Sequence, residues 1–331
     1  MRVGMNPQKQ ENTIELQSNH RVVIVVYIPQ MSGYYANVFE VMKLSLESIS
    51  VTKNVSCEIT VVNNGSCVEV TNYLNQIYSE DKIDCLIHHR QNIGKMDALI
   101  GAARGAREEF VTLSDVDVLF VEGWQEAVEK IFNSIPDVGL VSPISSKTEP
   151  TYASFSTWSK IFLKKVKFKY EPISQNFEAY SKFLESINWD QETDPNAVWP
   201  VIKKNGTKAI VGSNHQVVTI KRSLLFEFVP TLPSLTLVGN HSEQNYIDLP
   251  VDFANKMRLS TFNNYAFHMG NKVENWMVEI QNKNLLSNRE KNETEKIVFK
   301  ENQKEIHNPN LFFYKLKKKI VKPVFSFFYK K

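Results

Sequence analysis

The nine residues Phe110-Val111-Thr112-Leu113-Ser114-Asp115-Val116-Asp117-Val118 decide how the rest of this chain is read. An apolar, β-branched run ends abruptly at two carboxylates one residue apart, so a buried strand gives way to a polar turn. A turn frees side chains from the alternation of a strand, and both carboxylates can then reach one hard cation. Magnesium or manganese suits such oxygen ligands. An isolated Asp-x-Asp is more often a solvated turn, because Asp is common in turns on its own account. The flanking sequence decides between the two.

Upstream, residues 22–28 form a short apolar run that stops at Pro29, which reads as a buried strand. Val38, Val41, Met42 and Ile49 follow at helical spacing, and a second strand over 58–62 ends at Asn63-Asn64-Gly65-Ser66. A polar helix over 68–78, a strand over 83–87 and a helix carrying Met96, Leu99, Ile100 and Ala103 on one face lead to the strand at 110–113. Strands alternating with helices predict an α/β fold, a Rossmann-like and mostly parallel sheet with helices on both faces. Such sheets bind ligands at the carboxyl ends of their strands. The loops at 29–32, 63–66, 88–95 and 114–117 all fall there. From 142 to 200 the pattern is irregular and predicts no secure element; strand character returns at 209–211 and 217–220, and a helix is expected over 243–256.

Composition bounds the function. The 331 residues are 42% hydrophobic, 23% charged and 11% aromatic, values that exclude a disordered, collagenous or coiled-coil chain. Cys57, Cys67 and Cys85 form neither a disulfide framework nor a zinc-type pair, which suits a reducing, cytoplasmic compartment. The polar stretch 1–19 reads as a disordered leader without the apolar core of a secretory signal, and no apolar run is long enough to span a membrane.

The net charge is +3, but 311–331 holds seven lysines and no acid, leaving 32 basic against 36 acidic residues elsewhere. This local basicity argues against nucleic acid as a partner, which calls for basic residues over a whole face. Phe312, Phe313, Leu316 and Ile320 share one helical face of that tail, with Lys315, Lys318 and Lys322 largely opposite. The pattern fits an anionic membrane surface; a helix docked on the protein's own core is the alternative. A second basic stretch, 160–169, either cooperates with the tail or is simply exposed.

With Asn63-Asn64-Gly65-Ser66 and Asn92-Ile93-Gly94-Lys95 placed ahead of Asp115-Val116-Asp117, the chain resembles a family 2 glycosyltransferase of the glycosyltransferase A fold, of the bacterial surface-polysaccharide type. The resemblance implies a nucleotide-sugar-binding half over 20–140, an acceptor half over 141–270 and a C-terminal extension over 271–331. It implies that Pro29, Asn63, Asn92, Lys95, Asp97 and Asp115 contact the donor, a UDP-sugar being favoured. Asn63 departs from the Asp common in the family, which alters what the position can recognise. Asp115 and Asp117, with His268 in Phe267-His268-Met269-Gly270, are implied ligands of manganese or magnesium; for His268 a place among core aromatics is the alternative.

In the acceptor half the family carries a Glu-Asp pair opening a helix, and this chain has Ser242-Glu243-Gln244-Asn245. Gln244 cannot take a proton, so Glu243 becomes the leading candidate for general base, with Asp248 second and Asp252 third. Glu243 as a mere helix-start carboxylate is the competing reading. The resemblance thus implies a metal-dependent, inverting transfer of a sugar to a glycan or lipid-linked acceptor, at the inner face of the plasma membrane. Two other readings stand beside it. A degenerate binding scaffold is favoured by Gln244 and Asn63, and a nucleotidyltransferase is disfavoured because no Gly-rich basic loop follows the first strand.

Overall fold

A computed structural model describes residues 4–6, 9, 14, 16–145 and 152–291. The basic tail at 311–331 and most of the leader lie outside the described residues.

The valine-rich segment His20–Val26 (β1) is buried at every position, as a central strand requires. It lies parallel to Cys57–Asn64 (β2) on one side and to Phe110–Ser114 (β4) on the other. Cys85–His89 (β3) extends the sheet past β2. The crossovers are Val38–Thr52 (α1), Val68–Ser79 (α2) and Lys95–Arg104 (α3). Val118–Phe120 (β5), Trp124–Ser134 (α4) and Val138–Ser142 (β6) follow.

The stretch with no readable pattern folds as Phe155–Phe162 (α5), Lys167–Pro172 (β7), Phe177–Ser186 (α6) and Val198–Lys204 (β8). Then come Thr207–Val211 (β9), Val217–Lys221 (β10), Arg222–Glu227 (α7), Leu249–Phe253 (α8), Met257–Thr261 (β11), Ala266–His268 (β12) and Asn275–Lys291 (α9).

The main sheet runs β3-β2-β1-β4-β10-β6-β11-β9-β8-β7. Only β10, β9 and β7 oppose the rest, so seven of the ten strands share one direction and the sheet is mostly parallel. Alternate residues of β1 serve opposite faces. Val22, Ile24 and Val26 pack with Met42, Leu74 and Trp124 on one face, while Val23 and Val25 pack with Leu99, Leu224 and Val251 on the other.

Two departures from expectation have physical reasons. The helix expected over 243–256 is instead a π-helical turn, Gln244–Asp248, followed by the short α8. Pro250 enters at the first turn of α8 and cannot donate to a preceding carbonyl, so the two pieces do not merge into one regular helix. The stretch 142–200 hides its strands because β7 is the sheet edge, where Lys167, Lys169 and Tyr170 are exposed and no apolar run is needed.

Candidate active site

The carboxyl end of β4 is where the two aspartates part company. The Asp115 N–H donates to the Gln216 carbonyl at 2.8 Å, fixing it beside the entry to β10. Two residues later, at Asp117, the chain is about to enter β5, which pairs with β12, and the Met269 N–H donates to the Asp117 carbonyl at 2.8 Å. Each carboxylate is therefore held by a different part of the second half of the chain.

Asp115 meets Lys95, whose Nζ lies 2.7 Å from Oδ1 and 2.9 Å from Oδ2. The same ammonium is 3.6 Å from Glu243 Oε1. Asp117 meets His268, with Nε2 at 3.2 Å from Oδ2. The other Asp117 oxygen, Oδ1, is buried and has no hydrogen-bond partner among the described residues. The first half of the chain and the second thus close on one site, joining five of the residues singled out in the sequence.

The electrostatics follow from this crowding. Burial pushes the Asp115 carboxyl up, Lys95 opposes it, Asp117 adds to it, and the balance stays above the ordinary range. Burial pulls the Lys95 ammonium down, but Asp115, Glu243 and Asp117 together hold it above its usual value. Glu243 is raised by burial yet brought below the usual carboxylate range by its own backbone N–H, Lys95, the Ser242 hydroxyl and His215. Burial depresses the His268 imidazole, and Asp117 and then Asp115 more than compensate.

Lys95 owes its place to Gly94. That glycine has φ +98°, and a Cβ there would lie 2.3 Å from the Thr236 carbonyl oxygen. The Lys95 N–H donates to the Leu237 carbonyl at 2.8 Å. Asp97 spends both oxygens on the same loop, accepting the N–H groups of Ser234 at 2.6 Å and Leu235 at 2.9 Å. Its role in this geometry is to pin the loop over the start of α3.

Asn92 Oδ1 accepts from Asn64 Nδ2 at 2.9 Å and from the Gly94 N–H at 2.8 Å, which shapes the turn before Lys95. Asn63 is closed into a network of its own. Its Nδ2 reaches Thr71 Oγ1 at 2.9 Å and His88 Nδ1 at 3.1 Å, and its Oδ1 accepts the Ser66 N–H at 3.0 Å. Pro29 is half-buried in the loop after β1.

The structure also supplies partners that the sequence did not announce. Ser186, at the end of α6, donates its hydroxyl to the Phe183 carbonyl at 2.7 Å and so accepts from His268 Nδ1 at 2.8 Å. That leaves Nε2 as the nitrogen aimed at Asp117. Behind Glu243, Asp248 is fully buried and pairs with Arg258 Nη2 at 2.7 Å. Arg258 also donates to the carbonyls of Tyr152, at 2.9 Å, and Ser213, at 3.2 Å.

Burial pushes the Asp248 carboxyl up against the pull of Arg258, and the Tyr152 hydroxyl is pushed up to about 12 by burial and by Asp248. A fully buried, ion-paired carboxylate is built to position its neighbours rather than to meet a substrate. Asp252 is likewise occupied, accepting the Ser156 N–H at 2.7 Å. An arginine next to the start of the strand Met257–Thr261, every residue of which is buried, is the sequence position at which a buried charge pair is needed.

Among the described residues no three His, Cys, Asp or Glu side chains gather as a ready-made metal cage. The partnerless Asp117 oxygen and the His268 nitrogen beside it nevertheless form an oxygen and imidazole donor set of the kind that manganese or magnesium accepts, with further ligands left to a substrate.

Residues 34–186 match the family model described as Glycosyl transferase family 2. No curated protein matches the chain. Among solved structures, S. aureus TarS 1-349 is similar at 12% identity and a TM-score of 0.44, covering 76% of this chain and 60% of that one. The mannosyltransferase PcManGT from Pyrobaculum calidifontis, in complex with GDP-Man and Mn2+, is similar at 16% identity and a TM-score of 0.38, covering 70% of this chain and 59% of that one. The chain therefore spans about three-fifths of the length of these two relatives.

Proposed function

The chain carries a glycosyl transferase family 2 domain, and from that premise we propose that it moves a sugar from a nucleotide-sugar donor to a glycan or lipid-linked acceptor, with a divalent metal and with inversion. The observation that carries this reading is the meeting of Lys95, Asp115 and Glu243 with Asp117 and His268 at the carboxyl end of the sheet. Asp117 and His268 would hold the ion, with Asp115 at the ion or the ribose. The bound ion would supply charge neutralisation on the departing diphosphate. Lys95 adds a second positive charge on the same side.

Glu243 serves as the general base. Its carboxyl, lying below the usual range, is ionised at neutral pH and ready to accept a proton. The acceptor hydroxyl oxygen attacks the sugar C1, its proton passes to Glu243, and the C1–O bond to the diphosphate breaks in the same displacement. A single displacement with one base inverts the anomeric centre. Asp248, second candidate by sequence, positions Arg258 and the turn at 152–153 instead of taking the proton. Glu243→Gln is expected to lower kcat roughly 10²–10⁴-fold with nucleotide affinity retained.

The donor is read as a UDP-sugar, since the family resemblance favours it, and the process as surface polysaccharide assembly at the inner face of the plasma membrane. Among the described residues no helix is long and apolar enough to cross a membrane. The competing reading, a binding scaffold, draws on Gln244, which bonds His241 at 3.0 Å in the position where the family has its base.

Calorimetric titration of uridine and guanosine diphosphates, with and without manganese, separates the two. Manganese-dependent binding of one nucleotide that Asp117→Ala abolishes is the expected result. No binding of either nucleotide under any metal condition overturns the transferase reading.

A further inference from the structure

We infer that the surface formed by α5, the turn after it and the end of α8 docks on an anionic lipid bilayer. This deepens the membrane-surface part of the proposed function and rests on it, and it concerns a surface separate from the 311–331 tail. Phe155 and Phe162 lie two helical turns apart on one face of α5 and are 77% and 79% exposed. Leu163, which follows, and Phe253, at the end of α8, are also exposed. The two helices are stitched together beside these side chains, since Ser156 donates both its N–H and its hydroxyl to Asp252, each at 2.7 Å.

The chain then turns through Lys164 in the left-handed region, at φ +54°, and presents Lys164, Lys165 and Lys167 to solvent. Among the described residues none of these three lysines makes an ion pair; the carboxylate nearest in effect, Asp137, is paired with Lys256 and Lys160 and feels Lys165 only at longer range. Their neighbours differ. Lys169 pairs with Glu171 at 2.5 Å, and Lys160 is buried against the Asn255 carbonyl.

The combination selects the occupant. Aromatic residues alone would suit a protein interface, but such interfaces are depleted of lysine. Exposed aromatics beside unpaired lysines match the interfacial zone of a bilayer, where rings enter the headgroup boundary and ammonium groups meet anionic lipid. Arg258 ties the turn at 152–153, just ahead of α5, to the buried Asp248, so the start of this surface is anchored in the protein interior.

The test is co-sedimentation of the full chain with vesicles of phosphatidylcholine alone and of phosphatidylcholine mixed with phosphatidylglycerol. The native chain is expected to bind the anionic vesicles. The triple variant Lys164→Glu, Lys165→Glu, Lys167→Glu is expected to bind about a hundredfold more weakly, at roughly tenfold or less per charge. Phe162→Ser with Leu163→Ser is expected to lose binding as well, and because all five positions are exposed the thermal unfolding of both variants should match the native chain.

Undiminished binding by both variants overturns this surface while leaving membrane association by another part of the chain standing. If the native chain binds neither vesicle, the membrane reading falls and this inference with it, whatever the nucleotide titration shows. A changed sedimentation velocity of the Phe162→Ser, Leu163→Ser variant with unchanged vesicle binding assigns the face to a second copy of the chain, which also overturns it.

Discussion

The two ends of the central strands carry buried charge in opposite ways. At the amino ends, Glu108 accepts from Arg21 Nε at 3.0 Å and Nη2 at 2.7 Å, from the Ser18 hydroxyl at 3.0 Å and from the Arg107 N–H at 2.8 Å. Arg21 completes its own set with Thr60 and Glu58. Burial would raise the Glu108 carboxyl, yet Arg21 and the backbone donors hold it down at about 2. At the carboxyl ends the sets are incomplete. Asp117 Oδ1 has no partner among the described residues, and burial leaves Asp115 above the ordinary carboxylate range despite Lys95. Glu108, with its partners present, stabilises the fold, whereas the unmet Asp117 oxygen beside the His268 imidazole is arranged for something that binds later.

Removing charge at the two ends should therefore have unlike effects. Glu108→Ala strands Arg21 in a dry environment and is expected to cost about 3–5 kcal/mol of stability, read from denaturant unfolding. A loss below 1 kcal/mol would break the comparison at its structural end. Gly94→Ala comes next. Its left-handed backbone and the Thr236 carbonyl oxygen at 2.3 Å leave no room for a Cβ. A cost of about 1–3 kcal/mol is expected, with weakened nucleotide binding as Lys95 shifts.

Asp117→Asn is the sharpest contrast. It is expected to change the metal-free stability by about 1 kcal/mol or less, because the carboxylate it replaces is under-partnered already. If manganese and nucleotide bind as proposed, the rise in melting temperature they are expected to give the native chain should vanish in this variant. A large metal-free destabilisation would show that Asp117 is a structural residue after all.

How far each end was legible follows from the same contrast. The first half announced itself because β1, β2 and β4 are buried runs separated by helices with clear apolar faces, and Asn64 and Asp115 fall at the carboxyl ends of β2 and β4, with Gly94 in the loop after β3. Asp115, Asp117, Lys95, Glu243 and His268 were all singled out, and all five meet. Their partners could not be read, since they depend on chain segments far apart in sequence. Ser186 lies 82 residues from His268, and nothing local to Leu184 or Ser186 marks that hydroxyl as special. Asp97 and Asn63 had the right motif positions, but their oxygens and amide hydrogens are spent on Ser234, Leu235, Thr71 and Ser66. A motif fixes where a residue lies along the chain, and only packing fixes what its side chain has left to give. The edge strand β7 was invisible for the opposite reason, as an exposed strand has no core to declare.

The smallest effect is a matter of sign. Unfolded histidine titrates at about 6.5, and in the folded chain burial pulls His268 down but Asp117 and Asp115 raise it above that value. A raised folded pKa means that the His268–Asp117 pair stabilises the fold fully below the unfolded pKa, and that this contribution fades as the pH climbs through the folded one. Glu108 behaves in reverse. Its contribution is present above about 4.3, the unfolded glutamate value, and is lost as the pH falls toward the folded value. With chelator present, the stability difference between the native chain and His268→Gln should thus shrink with rising pH, and the difference for Glu108→Gln should shrink with falling pH. Manganese, held by His268 as proposed, is expected to invert the first trend. A metal ligand must be deprotonated, so affinity at His268 grows over the same range in which the ion pair with Asp117 is lost. A His268→Gln difference that stays constant from mildly acidic to alkaline pH without metal would separate His268 from Asp117, and the carboxyl end would then lose the contact on which its contrast with the amino end depends.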